Sequence, residues 1–217
     1  AFFTIVYCTS LTMEDLDINI ALDIASRVGR DSFIDLGGML ATSKFYRTLA
    51  STNRVLRQVS LHFLFSNPHL INLHSPFRHF FNRCLDVGNP TAFYLESLKL
   101  AAKEGEAELA LQMLLAIPNL LPHASFATGL LQVYLGYFEE AIVTIDNFVI
   151  EVGSFHAADE IGSTVFRQIM QISPVKVRSH TDTWRYPNIP KCRSCNLSNR
   201  CAKCFFYWFT VMYFLMC

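Results

Sequence analysis

An all-α fold is what this sequence predicts: a small three-helix bundle, then antiparallel helical-hairpin repeats, then a short irregular cysteine-rich tail. Three observations carry that expectation. Leu16, Ile20, Ile24 and Val28 recur every four residues, the spacing of one helix face. The segment 89–98 realigns with 121–130 at an offset of 32, a period in the range of paired-helix repeats. Five of the seven cysteines fall in the last 26 residues, so no disulfide framework spans the chain.

The elements follow in order. Asp17 is placed to cap the first helix and Gly29 to stop it. Ser32-Phe33-Ile34-Asp35 reads as a capping box, with Phe33, Leu36 and Leu40 on one face beyond it. Gly37-Gly38 weakens this second helix by about 1 kcal/mol per glycine, so it is expected to be short. A third helix is expected over 43–50 and a fourth segment over 55–61. Asn, His, Ser and two prolines (Pro68, Pro76) mark 66–76 as a loop or linker. In the repeats Pro90 aligns with Pro122, Ala92 with Ala124, Glu108 with Glu140 and Leu111 with Val143. A last helix is expected over 155–172, ended by Pro174.

With 217 residues, 52% of them hydrophobic and 17% charged, the chain can build a core and does not have the composition of a disordered protein. The 18 basic and 18 acidic residues cancel, but unevenly. Seven of the basic residues and one acid, Asp182, lie in 176–217, so the tail is +6 and the remainder −6. An acidic body does not suit nucleic acid, and none is expected as a partner. No apolar run reaches the length of a membrane span, since 205–217 would make only about 20 Å of helix. The apolar start, 1–10, lacks a basic region and reads as a fragment start rather than a secretion signal. An odd cysteine count with a thiol-poor body suits a reducing compartment.

Enzyme motifs are absent. There is no phosphate-cradling glycine loop, no helical His pair around a Glu, and no Gly-x-Ser-x-Gly elbow. The seven histidines are scattered, and Glu106/Glu108 and Glu139/Glu140 read as solvated helix faces. A Cys84–His pair has no supporting pattern. The sharpest chemistry is Cys192-x-x-Cys195 followed by Cys201-x-x-Cys204. Two such knuckles can present four thiolates to one Zn²⁺. Their five-residue spacer is short, so either a tight geometry or a ligand from elsewhere, such as His180 or Cys217, is required. Free thiols and oxidised pairs stay open beside a structural zinc.

The stretch Leu16-Asp-Ile-Asn-Ile-Ala-Leu-Asp-Ile-Ala-Ser-Arg-Val28, then Asp31-Ser-Phe-Ile-Asp-Leu36 and Thr42-Ser-Lys-Phe45, resembles an F-box. Val59-Ser-Leu61 and the element from Cys84 through Gly88-Asn-Pro-Thr-Ala to Tyr94 are similar to a plant F-box family in which Sel-like or TPR-like helical repeats follow the box. His123-Ala-x-Phe-Ala-x-Gly129 resembles the start of such a repeat, and a cysteine-rich tail closes chains of this family. Asp17 stands where the family has Pro, and Ser43 where many members have Cys. The resemblance implies an F-box over 14–62, a linker over 63–76, helical repeats over 77–172 and a basic tail over 173–217. It implies a non-catalytic substrate receptor of an SCF-type cullin–RING ubiquitin ligase, cytoplasmic or nuclear. The box would dock the ligase adaptor, and through it a cullin, while the repeats recruit a protein substrate. On matching positions Leu16, Ile20, Ile24, Phe33, Leu36 and Phe45 are the candidate adaptor contacts, or else only core. The rivals are a stand-alone helical-repeat scaffold and a zinc-dependent binding module centred on the tail.

Overall fold

The computed structural model describes residues 16–117, 121–172, 192 and 194–216, and every regular element among them is helical. The chain divides into two compact units, 1–60 and 61–217.

The first unit is a bundle of four short helices: α1 (Ile18–Asp31), α2 (Phe33–Thr42), α3 (Lys44–Ala50) and α4 (Asn53–Gln58). Asp17 and Ser32 cap as expected, and Ser43, expected inside the third helix, caps it instead. Asp17 accepts a hydrogen bond from the Asn19 N–H at 2.8 Å. Ser32 accepts from Ile34 N–H at 3.1 Å, and Ser43 from Tyr46 N–H at 3.3 Å. Gly29, however, does not stop α1, which runs two residues further. It is buried where a Cβ would lie 3.5 Å from side-chain carbons of Val55 and Val59. A side chain there would meet these neighbours at ordinary contact distance, and the Ser60 N–H bonds to the Gly29 carbonyl at 2.8 Å.

In the second unit, the expected linker 63–76 is packed structure. It contains most of α5 (His62–Ser66) and a 3₁₀ turn, Pro68–Ile71. Leu64, Pro68 and Ile71 are buried, because the turn-forming residues here are interleaved with apolar ones that α11 (Phe155–Ile172) covers. Asn72 Nδ2 donates to the Ile172 carbonyl, and Gln168 Nε2 donates to the Phe65 carbonyl at 2.7 Å.

Helices α6 (Arg78–Asp86), α7 (Pro90–Lys99), α8 (Ala107–Leu115), α9 (Pro122–Leu135) and α10 (Phe138–Val152) contain the two repeats. Pro90 and Pro122 each open a helix, where their missing N–H costs nothing. Ala92/Ala124, Tyr94/Phe126 and Leu98/Leu130 are buried in pairs, 32 residues apart. Beyond them the correspondence moves to 31. The two helix-ending glycines, Gly105 (φ 75°) and Gly136 (φ 89°), match at that offset, as do Ala110/Ala141, Leu114/Ile145 and Ile117/Phe148. A π turn at Leu100–Glu104 absorbs the extra residue of the first repeat. Glu108/Glu140 and Leu111/Val143 are therefore not equivalent: Leu111 is 7% exposed and Val143 60%.

The end of the tail is not irregular. Phe205–Met216 forms α12, and Phe209 and Tyr213 are buried against Phe166, with Phe209 also meeting Phe126 edge-on. An aromatic run that would be an aggregation hazard if exposed finds its partners inside the fold. The basic stretch 173–190 lies outside the described residues.

An ion cluster holds the α6–α7 corner. Arg78 donates to both Glu96 oxygens at 2.7 and 3.0 Å, and Lys99 bridges Glu96 at 2.9 Å and Glu104 at 2.8 Å. Burial alone would raise the Glu96 carboxyl, but hydrogen bonds from Arg78 and Lys99 outweigh it and hold the group below its usual range.

Candidate functional sites

Each unit presents one candidate site. In the first, the bundle core is built from α1's small residues rather than its large ones. Ala21, Ala25 and Gly29 point inward with Leu36, Leu49, Val55 and Val59. The stripe of Leu16, Ile20, Ile24 and Val28 is turned to the flank: Ile20 is 52% exposed, and the other three are half-buried. Ile18 and Ile34 are as open, at 51% and 53%. Of the six candidate contacts, Phe33 and Leu36 belong to the core, and Leu16, Ile20, Ile24 and Phe45 remain accessible to differing degrees. Periodicity could not say which side of α1 is buried, because Ile20 and Ala21 lie only about 100° apart on the helix. The informative signal was residue size, since alanine and glycine admit the closest helix approach.

The second site is the cysteine quartet. The Sγ atoms of Cys192, Cys195, Cys201 and Cys204 all lie within 4.8 Å of one another, so these four residues can hold a metal ion. Within each knuckle the sulfurs are 3.2 and 3.3 Å apart and unbonded. A tetrahedral ion with bonds of about 2.3 Å sets sulfurs roughly 3.8 Å apart, within reach of this arrangement. Four sulfurs and no oxygen suit zinc rather than calcium or magnesium.

The short spacer suffices because it folds back on itself. Asn196 Oδ1 accepts from the N–H groups of Ser198 and Asn199, both at 2.9 Å, and Asn196 N–H donates to the Asn199 carbonyl at 2.8 Å. Cys204 precedes α12 directly and is almost fully buried, whereas Cys192 is exposed. His180 and Cys217, considered as substitute ligands, lie outside the described residues.

The thiols share their protons unequally. Hydrogen bonding with Ser194 and Cys195 pulls Cys192 down to about 6, and hydrogen bonding with Cys204 lowers Cys201. Hydrogen bonding with Cys204 and Cys192 lifts Cys195 to about 12, and burial raises Cys204. Each knuckle thus pairs a thiol whose pKa is lowered with one whose pKa is raised.

Arg200, between the knuckles, fastens the cluster to the helices. It donates to both Asp159 oxygens at 2.7 and 3.0 Å and to Ser163 Oγ at 3.3 Å, and its guanidinium lies 4.3 Å from the Phe209 ring centroid.

Two other residues singled out in the sequence have structural roles here. Cys84 is fully buried, which pushes its thiol up to about 12 and keeps it protonated at neutral pH. His123 stands edge-on to Phe65 at 4.9 Å, and burial lowers its pKa.

No family model, curated protein or solved structure matches this chain. Fold and sites define an all-helical protein of two units, with an open aliphatic flank on the first and a metal-competent thiol cluster on the second. Among the described residues no helix is long and apolar enough to cross a membrane.

Proposed function

We propose that this chain is a non-catalytic substrate receptor of an SCF-type ubiquitin ligase. In this reading the first unit docks the ligase adaptor, and the second recruits a protein to be modified. The observation that supports it is the position of Ile20, half open on a bundle whose core is filled without it. Burying a few such side chains at about 25 cal/mol per Å² gives useful affinity when they arrive on preformed helices. Leu16, Ile24 and Phe45 flank or extend the contact, and Phe33 and Leu36 support it from within. Ubiquitin transfer belongs to partner subunits, so the chain itself does no chemistry. Cytoplasm or nucleus is the compartment that this role and the free thiols suit.

Co-purification from a cell extract tests the reading. The wild-type chain should retain the adaptor, and Ile20→Asp should release it with the thermal melt unchanged. Absence of adaptor from the wild-type material at comparable expression would overturn the proposal and leave a stand-alone helical scaffold.

The thiol geometry favours a second element, a structural Zn²⁺ held by Cys192, Cys195, Cys201 and Cys204. The ion would join the loop to the N-terminal end of α12 and stabilise the fold by the free energy of binding. Metal analysis of the purified full chain should find about one equivalent, and less than about half would rule the site out.

A further inference from the structure

Between α10 and the Cys201–Cys204 knuckle lies an open groove of about 440 Å³. One wall presents Ile142, Asp146 and Ile150, and the other Lys203, Phe206 and Tyr207. The α10 positions at 142, 145, 146, 149 and 150 form a single stripe along the helix, so the groove follows its axis. Ile150, on the groove wall, is 77% exposed, and the apolar surface continues past the groove to Val143. Asp146 lines the groove, as Lys203 does on the other wall; Glu139 lies on the same side of α10, Glu140 and Glu151 lie along its outer flank, and α10 itself carries no basic residue. Among the described residues none of the four carboxylates takes an ion pair or hydrogen bond.

We propose that this groove, with the acidic and aliphatic face of α10 that extends it, binds a basic, leucine-rich helical segment of a partner protein. The aliphatics along the groove axis call for apolar side chains at helical spacing, the pattern by which one amphipathic helix lies against another. The carboxylates select lysine or arginine on its flanks and repel nucleic acid and anionic lipid alike. The role of that segment as a recruitment signal rests on the receptor reading above; its binding does not. Ala202 and Lys203 of the knuckle form part of one wall, so the groove borders the thiol cluster.

The test uses the full chain and a fluorescein-labelled peptide of about 14 residues, with leucine at i, i+3, i+4 and i+7 positions and lysine elsewhere. Anisotropy titration should show saturable binding that weakens with added salt. Ile150→Asp and Asp146→Lys, both at exposed positions, should each weaken it at least about tenfold with the thermal melt unchanged. Glu108→Lys, on α8 and outside the groove, should change it less than about twofold. Absence of binding, or equal binding by the wild type and both groove variants, overturns the inference. So does self-association of the chain that Ile150→Asp abolishes, since a second copy would then be the occupant. A chain that retains the ligase adaptor but ignores the peptide sinks this inference alone. One that binds the peptide but not the adaptor sinks only the receptor reading.

Discussion

Phe209 occupies the space that a side chain at Gly162 would need: a Cβ there would stand 2.6 Å from the Phe209 ring and 2.9 Å from Phe126. Helix α11 accepts the terminal helix only because position 162 is bare. Gly162→Ala should therefore cost about 1–3 kcal/mol, the usual penalty of overpacking, although alanine is the better helix former. Near-UV circular dichroism should lose aromatic signal and the melting temperature should fall. An unchanged melt would mean that α12 is not seated on α11.

Glu96 holds two cations in a site only 8% exposed at its side chain. Glu96→Gln leaves Arg78 and Lys99 without their shared anion and should cost about 3–5 kcal/mol by denaturant unfolding. The pH dependence has a definite sign. With the folded pKa depressed, the unfolded chain binds more protons as pH falls below the ordinary carboxylate range of about 4.3. The stabilisation is complete above that range and is lost as pH drops through the folded value. Glu96→Gln should flatten the acid limb of the stability curve.

Leu36 and Ile20 separate packing from docking within one bundle. Leu36→Ala should cost about 2–5 kcal/mol, because Leu36 is fully buried. Ile20→Asp, at a half-open position, should stay within about 0.5 kcal/mol. Thermal melts of the two variants decide this without reference to any partner. A large loss at Ile20 would mark the stripe as core.

Metal binding at the quartet should strengthen as pH rises. Cys195 and Cys204 keep their protons until well above neutrality in the metal-free protein, and zinc must displace those protons to gain four thiolates. Competition titration with a chromophoric chelator should show affinity climbing with pH and protons released on binding. Cys204→Ser should remove the site, and pH-independent affinity would argue against thiolate ligation.

Much of the secondary structure was legible residue by residue. Asp17 and Ser32 cap the helices they precede, because capping is a local hydrogen-bond preference. The four-cysteine motif was legible for the same reason, since spacing alone limits which sulfurs can meet. Register and burial were not. One residue in a π turn shifted the second helix of a repeat, and the expected linker at 63–76 became packed structure through contacts about a hundred residues away.

What local preference and periodicity determined here is where several helices start, and which residues have the chemistry to act. The packed fold alone decided which face of α1 is buried, where Arg200 anchors, and that the aromatic tail fills a slot opened by Gly162. Those outcomes depend on surfaces brought together from distant parts of the chain, where close packing selects among faces that hydrophobicity alone leaves nearly equivalent.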